Sequence, residues 1–184
     1  AVAHGLTPSS LLLAAYATVP SAWSRQPSLS INRTLFVRRP THPDIEHVLG
    51  DFTSLLLLEW TPQGSWGDCS LAMQQRLRAD MAHRDVSAIR VMREMATREG
   101  VAAIRMPVVF TSALGYDPRH GFLDHQSWLR PIDGLSQTPQ TWLDHQVYES
   151  GDTLHFNWDA VKQLFELEQL QSMFADYGQL LQRL

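Results

Sequence analysis

The run Pro107-Val108-Val109-Phe110-Thr111-Ser112, with the block Ser136-Gln137-Thr138-Pro139-Gln140-Thr141-Trp142-Leu143-Asp144 further along, decides how this chain is read. Each block places a small polar side chain at the end of an apolar, strand-like stretch: Thr111 after Val108-Val109-Phe110, and Asp144 after Trp142-Leu143. Short runs rich in β-branched and aromatic residues predict strands. A hydroxyl and a carboxylate delivered in this way can share one cleft, where the acid moves protons and the hydroxyl orients a reacting group.

Outward from these blocks the chain reads as helices alternating with strands. Thr7-Pro8 predicts a helix start, because threonine caps free backbone N–H groups and proline is tolerated in the first turn. Leu11, Leu12, Ala15, Tyr16 and Val19 carry that helix towards Trp23, and Pro20 is expected to kink or end it. Ser28 to Arg38 is β-like. Pro40, His42-Pro43 and Gly50 then predict a loop with one helical turn between Asp44 and Leu49. Asp51 to Trp60 is a strand whose Leu55-Leu56-Leu57-Leu58 run suits coverage on both faces.

Asp68 is the expected cap of a helix reaching about His83. A second helix, from Val86 to Arg98, is expected to bury Ile89, Val91, Met92 and Met95 and to stop at Gly100. Met106 to Thr111 predicts a strand, and 113–135 a long irregular excursion of a kind that is often functional. Trp142 to Glu149 and Thr153 to Trp158 read as strands joined by a hairpin turn at Gly151-Asp152, followed by a closing helix from Leu167 to Leu184. With no internal repeat or linker, this pattern predicts an α/β fold, one lobe with a mixed β-sheet and flanking helices.

Composition narrows the function. The 184 residues, 44% of them hydrophobic, suffice for one buried core. A net charge of −4 leaves no basic footprint for nucleic acid or anionic lipid. The arginines between 76 and 105 alternate with Asp80, Asp85, Glu94 and Glu99, as on a solvated helical face. The single cysteine, Cys69, excludes an internal disulfide and a cysteine-rich metal site, and suits a reducing cytoplasm. The eight histidines show no HExxH-type spacing, so no metal site is expected. The apolar runs Leu11 to Ala17 and Leu55 to Leu58 fall short of the ~20 residues of a membrane span. The opening Ala1-Val2-Ala3-His4-Gly5 has no signal-peptide character and runs directly into a helix cap, as expected of a piece cut from a longer chain.

In this order the blocks resemble the C-terminal half of a heterocyclization domain of non-ribosomal peptide synthetases. Thr7-Pro8 with Leu12, Val19 and Trp23 is similar to the first helix of that half, and Gly50 to Leu58 to its GDFT-type strand. Pro107 to Leu114 matches PVVFTSxLG, and Ser136 to Asp144 matches SQTPQxxLD. The sequence departs from the family at Pro20, where leucine is usual, and at Val37, where asparagine is usual.

The resemblance implies one lobe of a chloramphenicol acetyltransferase-like, two-lobed condensation/cyclization domain. It implies amide formation between carrier-bound acyl and Cys, Ser or Thr thioesters, then loss of water to a thiazoline or oxazoline. No cofactor is expected to bind directly, because the substrates ride on 4'-phosphopantetheine arms. The implied partners are peptidyl or aryl carrier proteins, an adjacent adenylation domain and the N-terminal lobe, whose DxxxxD motif this chain lacks. Carried onto this sequence, the resemblance makes Asp144 the proton-transfer acid and Thr111 its hydrogen-bonding companion. Ser112, Gln137, Thr138 and Gln140 are expected to line or support the site, with Asp51 at the start of its strand. Two other readings remain open: a condensation domain that forms the amide without cyclizing it, and a non-catalytic lobe that docks carrier proteins.

Overall fold

Thr7 caps the first helix, α1 (Pro8–Trp23), through its Oγ1, which accepts the Ser10 N–H at 3.2 Å. Pro20 does not end α1, which continues to Trp23. It lies in the last turn, where its missing N–H leaves only the Tyr16 carbonyl without its usual donor. The computed structural model describes residues 5–100, 104–115, 138–150 and 152–184. After α1 come β1 (Leu29–Phe36), a 3-10 turn (Ile45–His47), β2 (Thr53–Trp60), α2 (Trp66–Ala82) and α3 (Ala88–Glu99). The chain continues with β3 (Val108–Ala113), β4 (Leu143–Ser150), β5 (Thr153–Ala160) and α4 (Leu167–Arg183).

The strands form one mixed sheet in the order β2-β1-β3-β4-β5. The outer pairs, β1–β2 and β4–β5, are antiparallel, whereas β1–β3 and β3–β4 are parallel. The expected hairpin is present, with Ser150 opposite Thr153, although Gly151 itself lies outside the described residues.

Side-chain alternation gives the sheet two unlike faces. Ile31, Leu35, Leu56, Leu58, Phe110, Leu143 and Val147 point to one face and are almost wholly buried in a core shared with α1, α2 and α4. Burying such side chains contributes about 1.5–3 kcal/mol each, so this face holds the lobe together. The other face carries Asn32, Thr34, Thr111, Asp144, Gln146, Asn157 and Asp159, and is polar.

Two helix expectations are corrected. Ser65, not Asp68, caps α2, and Asp68 completes a capping box by accepting the Ser65 N–H at 3.0 Å. The α3 side chains expected in the core are largely outside it. Only Ala88 of that helix is buried, while Ile89 and Val91 are exposed, because α3 lies by β2 on the polar side rather than against the main core. That placement also explains the Leu55–Leu58 run. Leu56 and Leu58 enter the core, and Leu55 turns towards α3, although β2 is an edge strand.

Candidate functional site

A groove of about 870 Å³ runs along the polar face of the sheet. Strand alternation supplies its floor from Asn32, Thr34, Val109, Thr111, Asp144 and Gln146, with α3 contributing Ile89 and Met92 on one side and Thr138 to Thr141 on another. Asp144 and Thr111 therefore open onto one groove, from adjacent parallel strands. In the register Asp144 pairs with Val109 and Thr111 with Gln146, so the two side chains are diagonal neighbours on one face.

Asp144 is 8% exposed, and its Oδ2 accepts a hydrogen bond from Gln146 Nε2 at 3.1 Å. The same carboxamide nitrogen lies 3.5 Å from Oδ2 of Asp159, which stands directly opposite Asp144 on β5. Thr111 Oγ1 lies 2.8 Å from Thr34 Oγ1. Asn32, also 8% exposed, donates from Nδ2 to the Met106 carbonyl at 2.7 Å, and its Oδ1 is buried without a hydrogen-bond partner among the described residues.

The other expected site residues are placed unevenly. Ser112 follows Thr111 on one strand and so turns to the opposite, helix-covered face; it does not line the groove. Thr138 and Gln140 line the groove from an exposed turn, with Gln140 at φ 69°. Asp51 lines one exposed end and accepts the Thr53 N–H at 2.8 Å. Hydrogen bonds from Thr53 hold its carboxyl below the usual range, which fits a local backbone cap. Gln137 lies outside the described residues. Arg38, just beyond β1, donates to the carbonyls of Ile45 and Val48 and stacks on Phe52 with 3.9 Å to the ring centroid. Arg39 pairs with Asp85 on the surface.

Sequence reasoning missed Asn32, Thr34, Gln146 and Asp159. The available signal was the period-2 polar pairing Asn32-x-Thr34, Asp144-x-Gln146 and Asn157-x-Asp159, which marks one polar sheet face.

Directly under Asp144's strand the chemistry changes. His145 is fully buried, stacked on Tyr16 at 4.6 Å between ring centroids, with Nε2 3.0 Å from the Tyr177 hydroxyl and Nδ1 3.4 Å from the Asn157 carbonyl. Burial pushes its pKa down to about 3, so the ring is neutral. The carbonyl can only accept, which assigns the proton to Nδ1 and makes Nε2 the acceptor of the Tyr177 proton. Burial raises Tyr16 well above the usual phenol range, and the charge of Asp144 adds to that effect. Among the described residues no cluster of three or more His, Cys, Asp or Glu side chains could hold a metal ion. No helix among them is long and apolar enough to cross a membrane.

No family model matches the chain. Curated relatives do. The chain is 40% identical over 189 residues to pyochelin synthetase PchE of Pseudomonas aeruginosa, covering 100% of this chain and 13% of that protein. It is 35% identical over 182 residues to phenyloxazoline synthase MbtB of Mycolicibacterium paratuberculosis, covering 95% of this chain and 15% of that protein. Among solved structures, the non-ribosomal peptide synthetase FmoA3 superposes with a TM-score of 0.86 at 36% identity, over 100% of this chain and 20% of that one. The EpoB cyclization-docking bidomain from Sorangium cellulosum gives 0.80 at 35% identity, over 98% of this chain and 37% of that one.

The fold and these likenesses define the class: a lobe of the chloramphenicol acetyltransferase-like fold found in condensation-type domains. The chain is similar to the cyclization and condensation domains of non-ribosomal peptide synthetases, and it spans only a small part of the length of the synthetases it matches.

Proposed function

We propose that this chain is the C-terminal lobe of a heterocyclization domain. In this reading it helps join a carrier-bound acyl thioester to a Cys, Ser or Thr thioester, then dehydrates the new amide to a thiazoline or oxazoline. The observation that carries the proposal is the shared groove of Asp144 and Thr111, on adjacent strands of one sheet face. The names of the relatives, a phenyloxazoline synthase and a cyclization bidomain, add support.

The chemistry needs two proton movements in sequence. The side-chain thiol or hydroxyl attacks the amide carbonyl, forming a C–S or C–O bond, and its proton passes through Asp144 to the carbonyl oxygen. That oxygen is then a hydroxyl on a tetrahedral carbon. As the ring nitrogen gives up its proton and the C=N bond forms, the C–OH bond breaks with protonation of the hydroxyl, and water leaves. One carboxyl group beside both centres serves as base and then as acid. Thr111 cannot ionise in the working range, so its role is to hydrogen-bond the substrate oxygen. The thioesters would arrive on 4'-phosphopantetheine arms of carrier proteins, with the N-terminal lobe closing the other side of the site and an adenylation domain adjacent in the assembly line.

The test is substitution in the full-length domain with loaded carrier proteins. Asp144→Asn and Thr111→Ala should each lower ring formation by about 100-fold or more, with linear amide accumulating in mass spectra. Ring yields equal to wild type in both variants would reject the assignment.

A further inference from the structure

Asp144 does not face the groove beside neutral neighbours alone. The β4–β5 register sets Asp159 directly opposite it on the same sheet face. Directly opposed residues have Cβ atoms about 5 Å apart, and like charges there repel. Nothing in packing requires a second acid at this position, because the face is the polar one and the core lies on the other side. Gln146 spans the pair, with its single carboxamide nitrogen 3.1 Å from Asp144 Oδ2 and 3.5 Å from Asp159 Oδ2. Its two N–H groups suit that double donation.

We propose that Asp159 is a positioning residue for Asp144, acting through the shared Gln146 carboxamide and through its own charge. This inference rests on the reading of Asp144 as the proton-transfer acid.

The arrangement answers a chemical demand. A carboxylate that only accepts a proton needs stabilised negative charge, but one that must also return the proton to a leaving hydroxyl must not hold its charge too firmly. A like charge across the strand pair favours the protonated form, and the Gln146 donors limit how far that goes. Among the described residues, the groups facing Asp144 are consistent with this source. From β5 comes Asp159. From α1, under the sheet, comes Tyr16, whose buried phenol stays neutral. The described residues of β1, β3, β4 and α3 that line the groove beside it, Asn32, Thr111, Gln146 and Met92, are uncharged.

The experiment uses the full-length domain with loaded carrier proteins, and reads the cyclized-to-linear product ratio and the pH–rate profile of ring formation. Asp159→Asn keeps the shape and removes the charge. It should move the acid limb of the profile down by roughly one pH unit and lower the product ratio about tenfold at neutral pH. Gln146→Leu keeps both acids and removes their shared donor, so the limb should move up. If Asp159→Asn fails to fold, as judged by thermal unfolding, Asp159→Ser takes its place in the same comparison and must move the limb in the same direction. A uniform loss of rate with no shift of the limb in either variant marks a merely structural pair and overturns the proposal. Asp144→Asn is run alongside. If it still cyclizes, the underlying reading falls; if it is dead to ring formation while the other two profiles match wild type, only the role of Asp159 falls.

Discussion

Thr34 and Thr111 meet across the parallel β1–β3 pair with their hydroxyl oxygens 2.8 Å apart. Only one of two hydroxyl protons can lie between the oxygens, so when Thr34 donates, the Thr111 proton is free for the groove. In that arrangement Thr34 fixes the direction in which the Thr111 hydroxyl can donate. Thr34→Val should cost about 1 kcal/mol of orientation, or roughly a fivefold loss in ring formation. Thr111→Ala should cost more, and the double variant should be no slower than Thr111→Ala alone. Additive losses in that double-mutant cycle would show that Thr34 acts independently.

The reading of this site from sequence succeeded where local pattern determines geometry and stopped where pairing does. Thr7-Pro8 and the hydrophobic runs placed α1 and the strands, because capping chemistry and β-propensity are local. Ser112 shares its motif with Thr111, but neighbours on a strand point to opposite faces, and period-2 alternation alone separates the two. Asp159 and Thr34 are different cases. Their relation to Asp144 and Thr111 exists only through strand register, which links positions far apart in the chain. The exposure of α3 was likewise invisible. Its apolar spacing resembles that of a core helix, and only the topology puts it by β2 on the polar side.

His145 makes stability depend on pH in a defined direction. Its folded-state pKa is lowered to about 3, below the unfolded value near 6.5, so the unfolded chain binds the proton more readily. The stabilisation is fully present above about pH 6.5 and declines as pH falls towards 3, by up to roughly 1.4 kcal/mol per pH unit across that window. Denaturant unfolding of the full-length domain between pH 4 and 7, set against His145→Gln, checks this. The substituted protein should be less stable at neutral pH and show a flatter slope through the window. Parallel slopes would mean that other groups govern the acid sensitivity.

Gln140 holds φ at 69°, a left-handed conformation that costs a side chain with a Cβ about 1 kcal/mol or more. It does so in an exposed turn lining the groove, where retained strain commonly accompanies function. Gln140→Gly should therefore leave the melting temperature unchanged or raise it, whereas Gln140→Val should lower it. If the side chain also touches substrate, ring formation will fall in the glycine variant despite its stability. Measuring both properties in one protein separates the backbone requirement from the amide's own contribution.

Phe110 links the core to the groove. It is fully buried, with its ring 5.2 Å from His145 and 5.9 Å from Tyr16, and it sits between Val109 and Thr111, which face the other way. Removing the ring leaves a cavity under the strand that presents Thr111, at a cost of roughly 3–5 kcal/mol. Leucine fills more of that space and should cost less. Phe110→Ala should lower the melting temperature strongly and depress linear and cyclized products together, since β3 carries the groove floor. Phe110→Leu should retain the ratio of the two products with a smaller loss of stability. A selective loss of cyclization in Phe110→Leu would mean that sub-ångström placement of Thr111, rather than integrity of the lobe, limits the chemistry; mass spectrometry beside thermal unfolding distinguishes the two.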